Sequence, residues 1–268
     1  MCIRDRYSCI NCQRSVPHVT AWQEAYRDDG LVVIGVHTPE YAFERETRNV
    51  VDGAERLGIT YPVAQDNSYA TWTAYRNRYW PAHYLIDADG QIRQVSQGEG
   101  GYAQTESLIR ELLTQADPGV TLPAPTQVGD ATPVGDVTPE TFLSVSKHAN
   151  VAGDYREGAA TYTFPTDQAQ DTVAFGGTWT TDYQGATAGP DAQLRLRYHA
   201  EVVQAVLGGT GAVTAVVRDE DGSVVDRVEL AVDGPPRAYA LVDDDSERNG
   251  TVELTAQAGV QVFSFTFG

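Results

Sequence analysis

Two cysteines separated by two residues, directly ahead of a helical pattern, constrain this chain more than any other feature. They are Cys9 and Cys12, within Tyr7–Gln13. If a helix begins near Cys9, its unpaired N–H groups and the positive end of its dipole face the Cys9 sulfur. A thiolate is then favoured over a thiol, and the thiolate is the nucleophile in disulfide exchange. Because Cys12 lies one turn further along, it can attack a mixed disulfide formed at Cys9, so the spacing predicts a redox-active pair.

Three other roles for a cysteine pair fit the residues less well. A structural disulfide between Cys9 and Cys12 would close a very short loop and add little stability. A zinc site needs two more ligands, and the remaining cysteine, Cys2, lies close by in an irregular tail. Haem attachment needs a histidine where the chain has Gln13. We therefore predict neither a metal nor a cofactor. The spacing alone, without the fold, does not decide between redox chemistry and these other roles.

Length and charge narrow the class of protein. The chain has 268 residues, enough for two domains of ordinary size, and a formal net charge of −18. That charge argues against nucleic acid and anionic membrane surfaces as partners. The charge is uneven: residues 1–115 carry 11 basic and 15 acidic side chains, whereas residues 116–268 carry 8 and 22. No apolar run in the sequence is long enough to span a bilayer.

Residues 1–115 alternate between helical and strand patterns, which predicts an α/β domain. Residues 1–6 are charged and aperiodic where a buried strand would lead into the cysteine motif, so we interpret them as a non-native start and assign Cys2 no role. Pro81 stands at the entry of an apolar strand, which is unusual.

Asp89-Gly90 marks a hairpin turn between the last two predicted strands of this domain. The predicted helices are 12–29, 40–57, 69–75 and 105–114, and the predicted strands are 31–36, 61–64, 82–87 and 91–97.

This order of elements resembles the thioredoxin fold in its TlpA-like extracytoplasmic branch, and more closely the soluble C-terminal region of DipZ-type cytochrome c biogenesis proteins. Each motif is weak alone, but their order and spacing over residues 7–115 are specific. The family places a central strand immediately before the cysteine motif. Since this chain starts late, we expect a thioredoxin-like sheet that lacks one inner strand. The motifs are Tyr7-Ser8-Cys9-Ile10-Asn11-Cys12, Gly35-Val36-His37-Thr38-Pro39-Glu40, Tyr79-Trp80-Pro81-Ala82 and Gly98-Glu99-Gly100-Gly101-Tyr102.

The resemblance implies a site and a set of partners. Cys9 matches the attacking cysteine and Cys12 the resolving one, while Pro81 matches the cis proline that faces them. The substrate-binding positions are then Trp80 and Pro81, with Ile10 and Asn11 between the cysteines. The implied partners are protein disulfides, apocytochromes among them, and a membrane electron donor of the CcdA type. The implied location is extracytoplasmic, as a soluble part of a membrane-anchored protein.

Two other residues near the motifs have open roles. Arg14 either helps to stabilise the Cys9 thiolate or points to solvent. His37, at a strand end with apolar neighbours, is predicted to be a structural histidine and not a base. Because Ile10 and Asn11 carry no charge, we expect a reduction potential nearer the reducing end of the family.

Residues 116–137 are rich in proline and glycine and predict a semi-extended linker. Residues 138–268 alternate apolar and polar residues over short runs, which predicts an all-β, jelly-roll-like sandwich. Tight turns are predicted at Asp221-Gly222, Asp233-Gly234 and Asn249-Gly250. Asp219-Glu220-Asp221-Gly222 and Asp243-Asp244-Asp245 are interpreted as a hairpin turn and a solvated loop, not as calcium sites. The predicted core-closing residues are Val262, Phe263, Phe265 and Phe267.

The resemblance extends through this second domain, where the family has a domain that looks like a carbohydrate-binding module. Four aromatic residues are candidate platforms for sugar rings: Trp179, Tyr183, Tyr198 and Tyr239. Two functions remain open at this point. One is a thiol-disulfide oxidoreductase; the other is a binding or docking protein, for a glycan or an envelope protein, whose cysteine pair is structural.

Overall fold

A computed structural model describes residues 2–268, with side chains from Arg6 onward. The chain divides into two compact units, one ending at Thr132 and the other spanning Pro133–Gly268. Within residues 2–268, none of the helices combines the length and apolar character needed to cross a bilayer.

The first unit is a five-stranded sheet with helices packed on it. Its strand order is β3-β2-β1-β4-β5, with β1 parallel to β2 and antiparallel to β4. Short 3-10 turns at Arg27–Asp29 and Ala42–Arg45 complete it. The elements in chain order are β1 (Cys2–Asp5), α1 (Ile10–Tyr26), β2 (Ile34–His37), α2 (Thr47–Arg56), β3 (Val63–Gln65), α3 (Ala70–Ala74), β4 (Ala82–Ile86), β5 (Ile92–Gln97) and α4 (Tyr102–Ala116).

The expectation of a missing inner strand is wrong. Cys2–Asp5 forms β1 at the centre of the sheet, where Cys2 pairs with Ile34 on one side and with Tyr84 on the other. The ladder needs only backbone N–H and C=O groups, which every one of these residues supplies. Four residues are too few to show a side-chain period, so the sequence pattern gave no sign of the strand.

Helices α1 and α4 cover one face of this sheet with large apolar side chains. Trp22, Tyr26 and Ile109 are each no more than 1% exposed. The residues that follow α4 have no regular structure up to Thr132, but they pack on the same unit. Leu122 contacts its core, and Glu106 of α4 accepts hydrogen bonds from the backbone N–H and the hydroxyl of Thr126, at 2.7 and 2.9 Å. Much of the predicted linker is therefore attached to the first unit.

The second unit is all-β, as predicted, and is consistent with a β-sandwich. Its described strands form one ten-stranded sheet, mostly antiparallel, in which β11 pairs with β14 along its length and with β9 and β15 over its two halves. The strands are β6 (Thr141–Phe142), β7 (Val151–Ala152), β8 (Gly158–Tyr162), β9 (Thr172–Thr181), β10 (Ala186–Ala188), β11 (Gln193–Gly208), β12 (Gly211–Arg218), β13 (Val224–Val232), β14 (Arg237–Ala256) and β15 (Gln261–Phe267).

Two predicted details of this unit are wrong. Asn249-Gly250 is not a turn, because β14 runs through it and Gly250 pairs with Tyr198. The glycine is needed there because a Cβ would lie 2.6 Å from the Tyr198 hydroxyl. Asp243–Asp245 also belongs to β14 and not to a loop.

The core of the second unit is a single apolar cluster that includes the largest side chains. As predicted, Val262, Phe265 and Phe267 near the C-terminus belong to it, each at most 4% exposed. Phe263 is also buried, at 4% exposed, but it is not part of this cluster. Three of the four candidate sugar platforms also belong to this core. Trp179 and Tyr198 are 0% exposed and Tyr239 is 9% exposed, whereas Tyr183 is 69% exposed.

Candidate active site

The cysteine pair lies at the N-terminus of α1. Cys9 is the N-cap residue, with extended backbone angles, and its sulfur accepts a hydrogen bond from the backbone N–H of Cys12 at 3.4 Å. The Cys9 side chain is 5% exposed and that of Cys12 1%. Because the first N–H groups of a helix have no partner within it, they stabilise a negative charge on the capping sulfur. The geometry therefore favours a thiolate at Cys9, with Cys12 one turn away.

Three strand ends lie at the same edge of the sheet as Cys9. β1 ends just before the Cys9 segment, β2 ends at His37, and β4 begins at Ala82, which pairs with Arg4 of β1. The Trp80–Pro81 peptide bond, immediately before β4, is cis. The fold thus brings Trp80 and Pro81 to the same edge as the cysteine pair.

Trp80 is held in place by its side chain. Its indole Nε1 donates a hydrogen bond to the carbonyl oxygen of Thr38 at 3.2 Å. The Trp72 ring lies 4.3 Å away, centroid to centroid, and the guanidinium of Arg6 lies 5.2 Å from the Trp80 ring centroid. Arg6 is also ion-paired with Glu40. Sequence reasoning did not identify Arg6, because it assigned residues 1–6 no structural role.

The two residues between the cysteines differ. The side chain of Ile10 is 4% exposed, so it offers a partner almost no side-chain surface. That Ile10 binds substrate stays a prediction. Asn11 is half-buried, and its Oδ1 accepts a hydrogen bond from Nη2 of Arg14 at 2.9 Å.

Arg14 is paired and does not point to solvent. Its guanidinium donates to both carboxylate oxygens of Glu99, at 2.7 Å each. The loop between β5 and α4, which carries Glu99, also contacts Pro81. The backbone N–H of Gly98 donates to the carbonyl oxygen of Pro81 at 2.8 Å. The sequence shows the motif Gly98-Glu99-Gly100-Gly101, but it has no local signal that Glu99 contacts α1.

Two buried histidines flank the site. Nε2 of His83, in β4, lies 3.0 Å from the hydroxyl of Ser15, which is one turn beyond Cys12. Burial, with a smaller contribution from the charge of His18, lowers the pKa of His83 to about 4. His37 stacks on Tyr7, with ring centroids 5.6 Å apart, and burial lowers its pKa as well. Both imidazoles are therefore neutral at pH 7 and add no positive charge beside Cys9.

The side chains of residues 6–268 include no cluster of three or more His, Cys, Asp or Glu residues that could hold a metal ion.

The strand order, the helix-borne cysteine pair and the cis proline define the first unit as a thioredoxin-like domain. Residues 2–95 match the AhpC/TSA family, and residues 138–268 match a family described as "Thioredoxin like C-terminal domain". Over 98% of its length the chain is 52% identical to Protein DipZ of Mycobacterium tuberculosis and of Mycobacterium bovis. The likeness to DipZ therefore extends through both units, and the chain spans 38% of the length of those relatives.

Other similarities cover the first unit. The thiol-disulfide oxidoreductase YkuV of Bacillus subtilis is 29% identical over 41% of this chain and 74% of its own. A solved thioredoxin-like protein in its oxidised form is 28% identical, with a TM-score of 0.38, and the match covers 42% of this chain and 78% of that one.

Proposed function

We propose that the protein is a thiol-disulfide oxidoreductase that exchanges electrons between the Cys9–Cys12 pair and disulfides of protein partners. The observation that carries the proposal is the position of Cys9 as the N-cap of α1, with its sulfur accepting the Cys12 N–H at 3.4 Å. A structural disulfide would not need a helix N-terminus directed at one sulfur. The relatives named as oxidoreductases match over this same unit.

The reaction proceeds in two exchanges. The Cys9 thiolate attacks one sulfur of the partner disulfide, so that a mixed disulfide forms and the other partner sulfur leaves as a thiolate. Cys12 then loses its proton and attacks the Cys9 sulfur, which releases the second partner sulfur as a thiolate. The partner gains two electrons, and the domain is left with a Cys9–Cys12 disulfide. The partner thiolates take up protons according to their own pKa values.

The partner binds, in this proposal, along the edge that carries Trp80 and Pro81. An extended chain can pair with the backbone of Trp80 through main-chain hydrogen bonds, the kind of bond that also holds extended peptides at exposed sheet edges. The indole is fixed by Thr38 and Trp72, so the backbone of Trp80 is presented in one position. Asn11 lies between the cysteines and contributes its half-buried side chain.

The cycle closes when a donor reduces the Cys9–Cys12 disulfide. The likeness to DipZ covers 38% of that protein, and the resemblance implies a membrane electron donor of the CcdA type in the remainder. We infer an extracytoplasmic location and a role in cytochrome c maturation on the same ground.

The test is reduction of insulin by the full chain with a dithiol reductant. We expect Cys9→Ser to abolish the catalysed rate, because the serine cannot form the mixed disulfide, and Cys2→Ser to retain it. Equal rates for the wild type and Cys9→Ser would end the oxidoreductase proposal. Cys12→Ser should accumulate the mixed disulfide, and the proteins it traps would identify physiological partners.

A second candidate function is ligand binding by the second unit. A cavity of about 330 Å³ opens there, and its lining includes Arg195, Arg197 and Arg218 together with Asn249 and Glu253. These groups suit a ligand rich in hydroxyls, such as a glycan, more than the buried aromatic residues do. Calorimetric titration of the full chain with a glycan panel tests it, with Arg197→Ala as the site variant and Tyr183→Ala as the control. Flat traces across the panel would leave a protein-docking role for this unit.

A further inference from the structure

The loop between β5 and α4 connects the two halves of the site. Gly98 contacts the carbonyl oxygen of Pro81, and Glu99 contacts Arg14, which in turn contacts Asn11 between the cysteines. Gly98, Gly100 and Gly101 all have positive φ, between 64° and 87°. Glycine adopts this backbone without strain, so the turn can direct Glu99 towards α1.

The ion pair of this loop is largely withdrawn from water. The side chain of Arg14 is 13% exposed and that of Glu99 11%. A two-pronged arginine–carboxylate contact fixes the orientation of both groups. When one charge of such a pair is removed, the other is left uncompensated in a region of low dielectric constant. The guanidinium of Arg14 also contacts Asn11, which lies between the cysteines in the chain. Among the contacts described for Arg14, Glu99 is the only one that offsets its charge.

We propose that Glu99 is a positioning residue of the redox site, which acts through Arg14 to set the stability of the Cys9 thiolate. It holds the guanidinium against Asn11 and cancels its charge, so that the helix N-terminus remains the main stabiliser of the thiolate. The proposal rests on the proposed function only in taking Cys9 as the nucleophile.

The two members of the pair have opposite effects in this arrangement. Without the carboxylate, the charge of Arg14 stabilises the Cys9 thiolate and lowers the pKa of Cys9. Without the guanidinium, the charge of Glu99 destabilises the thiolate and raises that pKa. A more stable thiolate also favours the reduced form, so Glu99 keeps the reduction potential lower than Arg14 alone would allow.

The experiment is a double-substitution cycle on the full chain. Cys2→Ser and Cys12→Ser are introduced throughout, so that Cys9 is the single thiol and its pKa is measured from the pH dependence of alkylation by iodoacetamide and of thiolate absorbance. We expect Glu99→Gln to lower the pKa of Cys9 by about one unit and Arg14→Gln to raise it by about one unit. Each shift is about a tenfold change in the ratio of thiolate to thiol. The double variant should return to within a few tenths of a unit of the parent.

A matched control is available at the opposite edge of the sheet. Asp87, which follows the far end of β4, is paired with Arg93 at 3.3 Å. Asp87→Asn also removes a carboxylate from an arginine, and it should leave the pKa of Cys9 unchanged.

The outcomes separate cleanly. Opposite shifts that cancel in the double variant support the proposal. Shifts of the same sign, or none beyond the Asp87→Asn control, overturn it and leave Glu99 as a structural brace. If Glu99→Gln does not fold, Arg14→Gln decides alone, because the proposal requires a rise. None of these readings needs a protein partner, so they remain informative even if insulin reduction fails.

Discussion

The two units bury very different polar groups. The buried polar side chains of the first unit include a guanidinium, carboxylates and imidazoles, namely Arg6, His18, His37, Glu44, Asp66, His83 and Glu106. Those described for the second unit are all hydroxyls or amides, namely Thr138, Thr141, Ser144, Gln168, Thr181, Ser264 and Thr266. A buried charge needs a partner and a buried imidazole loses its proton, so each costs stability that an apolar residue would not.

The first unit thus buries ionisable side chains near the cysteine pair, whereas the second unit buries mainly apolar side chains. Several ionisable groups of the first unit lie within a few residues of the cysteine pair or of the strand ends that face it. Ser8, beside Cys9, donates to Glu44 at 2.5 Å, and His83 follows Pro81 by two residues and contacts Ser15. In the second unit, the large side chains fill one continuous core. We therefore expect packing changes to dominate the stability of the second unit, and pH and charge changes that of the first.

The largest expected effect is a cavity in the second unit. Trp179 is fully buried, and its Nε1 donates to the carbonyl oxygens of Gly176 and Gln193, at 2.9 and 3.2 Å. Trp179→Ala should lower the free energy of unfolding of the second unit by about 3–5 kcal/mol, measured by hydrogen exchange at amides of β11 and β14. Tyr183→Ala, at an exposed position, should change this free energy by less than about 0.5 kcal/mol. An equal loss of protection in α1 would show that the units unfold together and would break the comparison.

A pH-dependent loss should appear in the first unit. The pKa of His83 falls from its ordinary 6.5 to about 4 in the folded chain, chiefly through burial. Between these values the unfolded chain binds the proton and the folded chain does not, so stability rises with pH. The stability of the folded chain with a neutral His83 is therefore full above pH 6.5 and falls as the pH falls towards 4. Between pH 7 and pH 5 the loss should be about 2 kcal/mol.

The measurement is denaturant unfolding followed by tryptophan fluorescence in a Trp179→Phe background, where the three remaining tryptophans lie in the first unit. His83→Gln should remove about 2 kcal/mol of the loss of stability between pH 7 and pH 5. Some pH dependence should remain, because the pKa values of His18 and His37 are also lowered. His148→Gln, at an exposed position of the second unit, should leave the profile as it was. If His83→Gln and His148→Gln give the same profile, the buried imidazole is not the cause.

Periodicity and turn residues predict much of this fold. The helix after Cys9, the apolar strand ahead of Asp87 and the alternating strands after residue 138 each have a clear local pattern. The central strand Cys2–Asp5 has none, because it is defined by backbone pairing with β2 and β4. The continuity of β14 through Gly250 was missed for a related reason: a glycine required by the nearby Tyr198 ring has the same letter as a glycine in a turn.

The site divides in the same way. Cys9, Cys12, Trp80 and Pro81 are recognisable because they stand in short motifs with fixed spacing. Glu99 and Arg14 are 85 residues apart, and Ser15 and His83 are 68 apart. Contacts across such separations depend on the register of the folded sheet and leave no local signal. Sequence reasoning therefore finds the residues of the short motifs and misses the long-range contacts around them.

The smallest effect tests whether a buried charge of the first unit matters away from the cysteines. Glu106 accepts hydrogen bonds from the Tyr26 hydroxyl at 2.6 Å and from the backbone N–H and hydroxyl of Thr126. Glu106→Gln removes the charge-assisted part of these hydrogen bonds, which should cost about 1 kcal/mol of unfolding free energy. Glu111→Gln, on the exposed side of the same helix, should cost less than about 0.5 kcal/mol. Both are measured by denaturant unfolding at pH 7. If the two variants lower the free energy of unfolding equally, the sensitivity of the first unit to charge changes comes from the redox site alone and not from buried charge in general.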